Sequence, residues 1–214
     1  MRFTENGKKI ISVLSAAGYK AYFVGGCVRD FFMRRPFNDI DIASSSTPIE
    51  TETALSAACI RCIETGIKHG TVTAIINGES FEITTFRSDG EYKDNRHPEN
   101  VSFVTDVKTD LARRDFTVNA MAYNENDGLV DVFGGIDDIN NKIIRCVGNP
   151  DKRFNEDALR IIRALRFSSV LGFEIEENTQ KSIFKNKDLL KNIAAERIFV
   201  ELTPLRRQCR VCAP

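Results

Sequence analysis

Apolar and polar positions along this chain follow two periods, one of about 3.6 and one of 2. Ile10, Val13, Leu14 and Ala17 recur at helical spacing, which predicts an amphipathic helix over residues 5–17 that Gly18 stops. Residues 21–24 are a short apolar run, a predicted strand that ends at Gly25-Gly26. A helical pattern follows over 27–34 until Pro36 and Asn38 close it, and a second strand begins at Asp39. Ser46-Thr47-Pro48 reads as a helix cap with proline in the first turn, for a helix over 49–58, and residues 60–63 resume strand character. Two β-rich runs, 71–76 and 80–86, flank Asn77-Gly78, a strong hairpin signal. A short helix over 106–113, a strand over 129–133, a Gly134-Gly135 turn and a helix over 136–140 complete this half.

From about Lys142 the strand pattern gives way to helices. The longest is expected to open at Asn155-Glu156-Asp157 and run to Leu171, with Gly172 as its stop and Leu159, Ile161, Ile162 and Leu165 on its buried flank. Arg160, Arg163 and Arg166 recur along one side of it. The expected fold class is therefore α+β, with a mixed sheet and flanking helices over 1–146 and an all-helical domain over 147–214.

Composition narrows this only in part. At 214 residues the chain can bury a proper core. Thirty basic residues balance thirty acidic ones, so no global field attracts nucleic acid and any RNA affinity must be local. The opening MRFTENGKKI scatters charges and reads as no signal peptide, and no run is long enough to span a bilayer, so a cytoplasmic protein without a membrane partner is expected. Six cysteines in that compartment should be thiols. Cys59/Cys62 and Cys209/Cys212 have the spacing of half zinc sites, but the first pair falls in a strand-like run where positions three apart face opposite ways, so thiols are expected there as well.

Candidate chemistry gathers around residues 21–43. Asp39 and Asp41 are two apart in a predicted strand and so share one face, with Ile40 and Ile42 on the other. Adjacent carboxylates repel unless a cation sits between them, and oxygen ligands of this kind suit magnesium that also carries substrate phosphates. Gly25-Gly26 at a helix start leaves amide N–H groups open to a phosphate. On the second arm of the hairpin, Glu82 and Thr84 lie opposite Phe81, Ile83 and Thr85, making Glu82 a candidate third carboxylate. Residues 87–100, RSDGEYKDNRHPEN, lack apolar periodicity and read as a mobile loop. Each feature alone also admits a plain structural reading as a turn, a solvated sheet face or a linker.

Hydrogen-bond chemistry adds a further signal. Asp157 offers acceptors and Arg160 donors, expected side by side at i and i+3. Cytosine and adenine both present an amino donor beside a ring-nitrogen acceptor and fit such a pair, whereas guanine and uracil present the reverse order.

The run GGCVRD followed by NDIDIA resembles the signature of the class II tRNA nucleotidyltransferase and bacterial poly(A) polymerase family, a branch of the polymerase-beta-like nucleotidyltransferases. Further segments are similar to that family's motifs: EITTFR around Glu82, DGEYKDNRHP within the polar segment, RRDFTVNA over 113–120, EDALR at Glu156, Asp157 and Arg160, and ERIFVEL from Glu196. The resemblance implies a nucleotidyltransferase head followed by a helical neck, with Mg2+ as cofactor on Asp39 and Asp41 and with Glu82 assisting. It implies phosphate contacts from Gly25, Gly26 and Arg29, and sugar contacts from Asp115, Asn119 and an arginine such as Arg114. Base selection falls to Asp157 and Arg160, with Arg163 on the same side. CTP, ATP and the 3′ end of tRNA are the implied partners, and CCA addition the implied activity. Poly(A) synthesis, addition of the last adenosine alone, and a catalytically inactive nucleotide- or RNA-binding fragment are the alternatives. Past Leu202 the likeness stops, and the chain reads as the N-terminal half of a family member, truncated at its C-terminus.

Overall fold

The computed structural model describes residues 3–37, 39–66, 70–90 and 101–209, with side chains described up to residue 203. It divides into two compact units, one made of residues up to Asp89 with Val101–Arg114 and Asn119–Phe133, the other of Asp115–Val118 and Gly134 onward. Residues 134–146, expected with the sheet, thus pack among the helices that follow.

The first unit is a seven-stranded mixed sheet with helices. Helix α1 (Glu5–Ala16) is capped by the Thr4 side chain, which accepts from the Gly7 N–H, and it buries Ile10, Ile11 and Leu14. Gly7 lets it approach closely, because a Cβ there would stand 2.9 Å from the Phe23 ring. Strand β1 (Ala21–Val24) is buried at every position, as a central strand covered on both faces should be. It leads through Gly25 into α2 (Gly26–Phe32). After β2 (Asp41–Ser44), helix α3 (Pro48–Ala57) opens with a capping box between Thr47 and Glu50 and with proline in its first turn. Strands β3 (Arg61–Gly66), β4 (Thr71–Ile76) and β5 (Glu79–Thr85) follow. Asn77 and Gly78 join the last two at φ 52° and 81°, the left-handed pair that a two-residue hairpin requires.

Strand β6 (Arg87–Asp89) pairs with β7 (Val101–Phe103), so the polar segment expected to be a loop begins as strand, and the remainder of that expectation, over 91–100, lies outside the described residues. Helix α4 (Val107–Ala112) is capped by Asp106. Strands β8 (Met121–Asn124) and β9 (Gly128–Asp131) complete the sheet in the order β3-β4-β5-β2-β1-β8-β9. The sequence pattern missed β8, since four residues beside a buried turn are too few to show a period of 2. Tyr22, Val24, Ala43, Phe86, Val107, Leu111 and Ala122 form one shared core cluster.

In the second unit, α5 (Gly135–Asn141) precedes β10 (Ile143–Ile144), which pairs in parallel with β11 (Glu174–Ile175). The expected all-helical domain thus carries one two-residue strand pair beside its helices. The single helix expected from residue 155 to 171 is two helices, α6 (Pro150–Glu156) and α7 (Leu159–Leu171). Asp157, at φ −143° and ψ 106°, is extended backbone between them. Asn149 as cap and Pro150 in the first turn start α6 earlier than the periodicity suggested. Gly172, left-handed at φ 69°, ends α7 as expected. Leu159, Ile161 and Ile162 are buried as expected, but Leu165 is exposed, and Ala164 and Phe167 are the further core residues of α7. Helices α8 (Glu177–Asn186) and α9 (Ala195–Cys209) pack against α6 and α7 respectively.

Candidate active site

Sheet register assembles the acidic corner. In the parallel pair β2/β5 Asp41 stands opposite Glu82, and in the antiparallel pair β1/β2 Asp41 stands opposite Val24. One row across the sheet therefore reads Glu82, Asp41, Val24, and the residue after Val24 is Gly25. Asp39 lies just ahead of β2 rather than inside it, yet the expected alternation holds: Asp39 and Asp41 are exposed, while Ile40 and Ile42 are buried. Partial burial and the Glu82 carboxylate raise the pKa of Asp41, Arg114 opposes the rise, and Asp39 adds to it. These acids crowd one another, and a divalent cation between them would relieve their repulsion.

Among the described residues, no three His, Cys, Asp or Glu side chains stand close enough to cage a metal by themselves. Asp39 just ahead of β2 and Asp41 at its start, exposed and with oxygen donors only, fit a hard divalent ion whose remaining ligands are waters and substrate phosphates. They do not fit a closed structural site. Of the C-x-x-C pairs, Cys59 lies outside the strand, exposed at φ 58°, and Cys62 lies within β3, half-buried.

Arginines surround the glycine corner. Gly25 has φ 74°, and a Cβ there would stand 3.1 Å from Arg114 Nη1 and 4.0 Å from Asp41 Oδ2. The backbone is thus left bare beside both an acid and a guanidinium. Gly26 opens α2, whose Arg29 is buried and donates to Asp30 at 3.0 and 2.8 Å and to Asn119 Oδ1 at 2.7 Å. Arg29 and Asn119, predicted separately as phosphate and sugar contacts, are joined in one buried pair. Arg114 donates from Nη2 to Asp110 Oδ2 at 3.2 Å. Asp110 was not singled out from the sequence; its place three and four residues before Arg113 and Arg114 on a helix was the available signal.

Asp115, Asp157, Arg160 and Arg163 belong to the second unit. Burial would raise the Asp115 pKa, but the Arg163 guanidinium, 2.6 Å away, outweighs it and holds it low. Arg163 also faces Glu201 at 3.7 Å, and Arg166 donates to Glu201 at 2.5 Å. Arg160 donates to Glu156 at 2.8 Å, and Glu156 also accepts from Arg153. Asp157 and Arg160 are not an i, i+3 pair on one helix. Asp157 precedes α7, accepts from the Leu159 N–H at 3.1 Å and meets Arg197 Nη2 at 3.4 Å, while Arg160 lies in the first turn of α7. The arginine row is tied to carboxylates rather than solvated.

This mixed sheet, with acids at a strand end beside a glycine and arginine corner, defines a polymerase-beta-like nucleotidyltransferase head followed by a mainly helical unit. Residues 21–145 match the model of the poly A polymerase head domain, and the chain belongs to that family, one that uses divalent metal ions. Residues 172–205 match a second model, described as the probable RNA and SrmB- binding site of polymerase A. A CCA-adding enzyme of Streptococcus gordonii is 48% identical over 196 residues, which are 92% of this chain and 48% of that protein. The crystal structure of the Bacillus stearothermophilus CCA-adding enzyme in complex with CTP is similar at TM-score 0.83 and 43% identity, over 92% of this chain and 46% of that one. The Thermotoga maritima CCA-adding enzyme complexed with tRNA is similar at TM-score 0.76 and 27% identity, over 94% of this chain and 47% of that one. The chain spans about half the length of the curated relatives it matches. No helix among the described residues is long and apolar enough to cross a membrane.

Proposed function

We propose that this chain carries the catalytic half of a template-independent RNA nucleotidyltransferase that adds C and A, from CTP and ATP, to the 3′ end of tRNA in the cytoplasm. The head, residues 1–146, performs the transfer, and the neck, residues 147–214, selects the base; the end of the matched head-domain family at residue 145 supports that division, although residues 134–146 pack with the helices that follow. The observation that carries the reading is the row Glu82, Asp41, Val24 ending at Gly25, with Arg114 against the same corner.

Asp39 and Asp41 would hold Mg2+, which when bound acidifies the primer 3′-hydroxyl and neutralises the triphosphate. In the transfer, the 3′-oxygen bonds to the α-phosphorus, the bond from that phosphorus to its bridging oxygen breaks, and pyrophosphate leaves. Glu82 completes the acidic cluster to which the hydroxyl proton is lost. Gly25 and Gly26 accept the triphosphate against bare backbone, and the Arg114 guanidinium offsets its charge. Arg29 holds the Asn119 carboxamide by its oxygen and so fixes the orientation of the side chain assigned to the sugar. Asp115, locked by Arg163, is a fixed acceptor for a sugar hydroxyl. Asp157 presents acceptors and Arg160, steadied by Glu156, presents donors to the amino edge of cytosine or adenine.

Incubation with a tRNA lacking CCA and each nucleoside triphosphate in turn tests this. CTP and then ATP should be incorporated, and UTP and GTP refused. Asp39→Ala and Asp41→Ala should abolish incorporation with the fold retained by circular dichroism. Incorporation of ATP alone would favour a poly(A) polymerase or an A-adding enzyme, and CTP binding without turnover on any primer would favour an inactive binding fragment.

A further inference from the structure

We propose that Asp110 is a positioning residue that sets the Arg114 guanidinium at the Gly25 corner and thereby tunes the triphosphate affinity of the head. The inference rests on the nucleotidyltransferase reading above. Asp110 lies on α4, wholly buried, and its carboxylate is saturated. Oδ1 accepts from the Arg87 backbone N–H at 3.2 Å and from Arg113 Nε and Nη2 at 3.0 and 2.8 Å, and Oδ2 accepts from Arg114 Nη2 at 3.2 Å. Three of these donors are independent of Arg114, two from Arg113 and one from the Arg87 backbone in β6, so the anchor is itself anchored. Burial disfavours the Asp110 charge, but Arg114 and Arg113 outweigh it and keep the carboxylate ionised.

Geometry then passes from Asp110 to the corner. Among the described residues the Arg114 guanidinium makes one hydrogen bond, to Asp110, and its buried Nε has no partner. The same planar group brings Nη1 to 3.1 Å from the point where a Gly25 Cβ would sit, with Asp41 Oδ2 4.0 Å from that point. A rigid fork held at one tooth by a buried acid fixes where the other tooth lies. Without Asp110, the Asp41 carboxylate would compete for the freed guanidinium and draw it off the phosphate position. Arg113, which shares the Asp110 carboxylate and also faces Asp89 at 3.8 Å, is a brace for the anchor and is not assigned a ligand contact.

The test uses the whole 214-residue chain and CTP with Mg2+ as probe, followed by titration calorimetry. Asp110→Asn keeps the shape and removes the charge, and should weaken CTP binding about tenfold through loss of a charge-assisted bond. Combined with Arg114→Ala it should weaken binding no further than Arg114→Ala alone, since both act through one guanidinium. Full additivity, or unchanged affinity in Asp110→Asn, overturns the proposal. In parallel, 15N NMR of the guanidinium should show hindered rotation of Arg114 in the unaltered chain and free rotation in Asp110→Asn. If the unaltered chain binds no CTP, the functional reading and the affinity claim fall together, while loss of hindered rotation in the variant still upholds the positioning. Should Asp110→Asn not fold, Arg114→Lys decides: a lysine cannot span both points, so binding should drop as far as in Arg114→Ala, and near-unaltered affinity would sink the idea.

Discussion

At the Gly25 corner a single missing methyl group decides what can approach. Alanine there would face φ 74° and the Arg114 guanidinium at 3.1 Å, so Gly25→Ala should cost about 1–3 kcal/mol in urea unfolding and weaken CTP binding in calorimetry. The neighbouring Asp41 is expected to act on stability with the opposite sign. Its pKa is raised above the ordinary 3.8 by partial burial and by Glu82, so the folded chain binds that proton more tightly than the unfolded one. Between 3.8 and the raised folded value, stability should therefore fall as pH rises, and the loss is complete above that value. Asp41→Asn should melt higher than the unaltered chain at neutral pH, with the gap closing on acidification. Added Mg2+ should raise the melting temperature of the unaltered chain and not of the variant. No effect of Mg2+ on either would remove the metal role of Asp41. These acids and glycines were legible in the sequence because two-residue alternation and a glycine pair are local facts. Asp110 was not singled out, although Arg113 and Arg114 follow it at i+3 and i+4, because its burial and its bond from the Arg87 N–H are set by packing.

Elements show where local signals suffice and where they do not. The β4/β5 hairpin was readable, since Asn77 and Gly78 determine the turn and the turn determines the register. The break between α6 and α7 was not, because Asp157 is as acceptable inside a helical pattern as beside a cap. Its carboxylate both accepts from the Leu159 N–H and meets Arg197, and the two roles can be separated. Asp157→Asn keeps a side-chain oxygen for the cap, so unfolding should shift by only about a few tenths of a kcal/mol, whereas Asp157→Ala should lose about 1 kcal/mol. In single-nucleotide incorporation, both substitutions should relax the choice of C and A, because either one replaces an ionised acceptor. Retained selectivity in Asp157→Asn would confine the residue to capping.

For the whole molecule the charges sum to zero, and the arginines of α7 are tied up by Glu156, Asp115 and Glu201. Binding of this chain to a tRNA lacking CCA should therefore be weak. Its salt dependence should correspond to fewer than about three phosphate contacts, measured as the slope of log affinity against log salt. A steep slope would reveal a basic surface that these ion pairs do not account for. From sequence alone came most elements of the sheet-bearing half, the Thr47-Pro48 helix start and the Gly172 stop, the shared face of Asp39 and Asp41 and the family motifs, because each depends on residues within a turn or two of one another. Tertiary structure alone decided that β2 runs parallel to β5, which sets Glu82 beside Asp41, that Arg29 meets Asn119, and that Arg114 reaches the Gly25 corner. Parallel pairing has no connecting turn to announce its register, and a buried hydrogen bond such as that from Arg29 to Asn119 joins positions far apart in the chain, so its partner is chosen by packing.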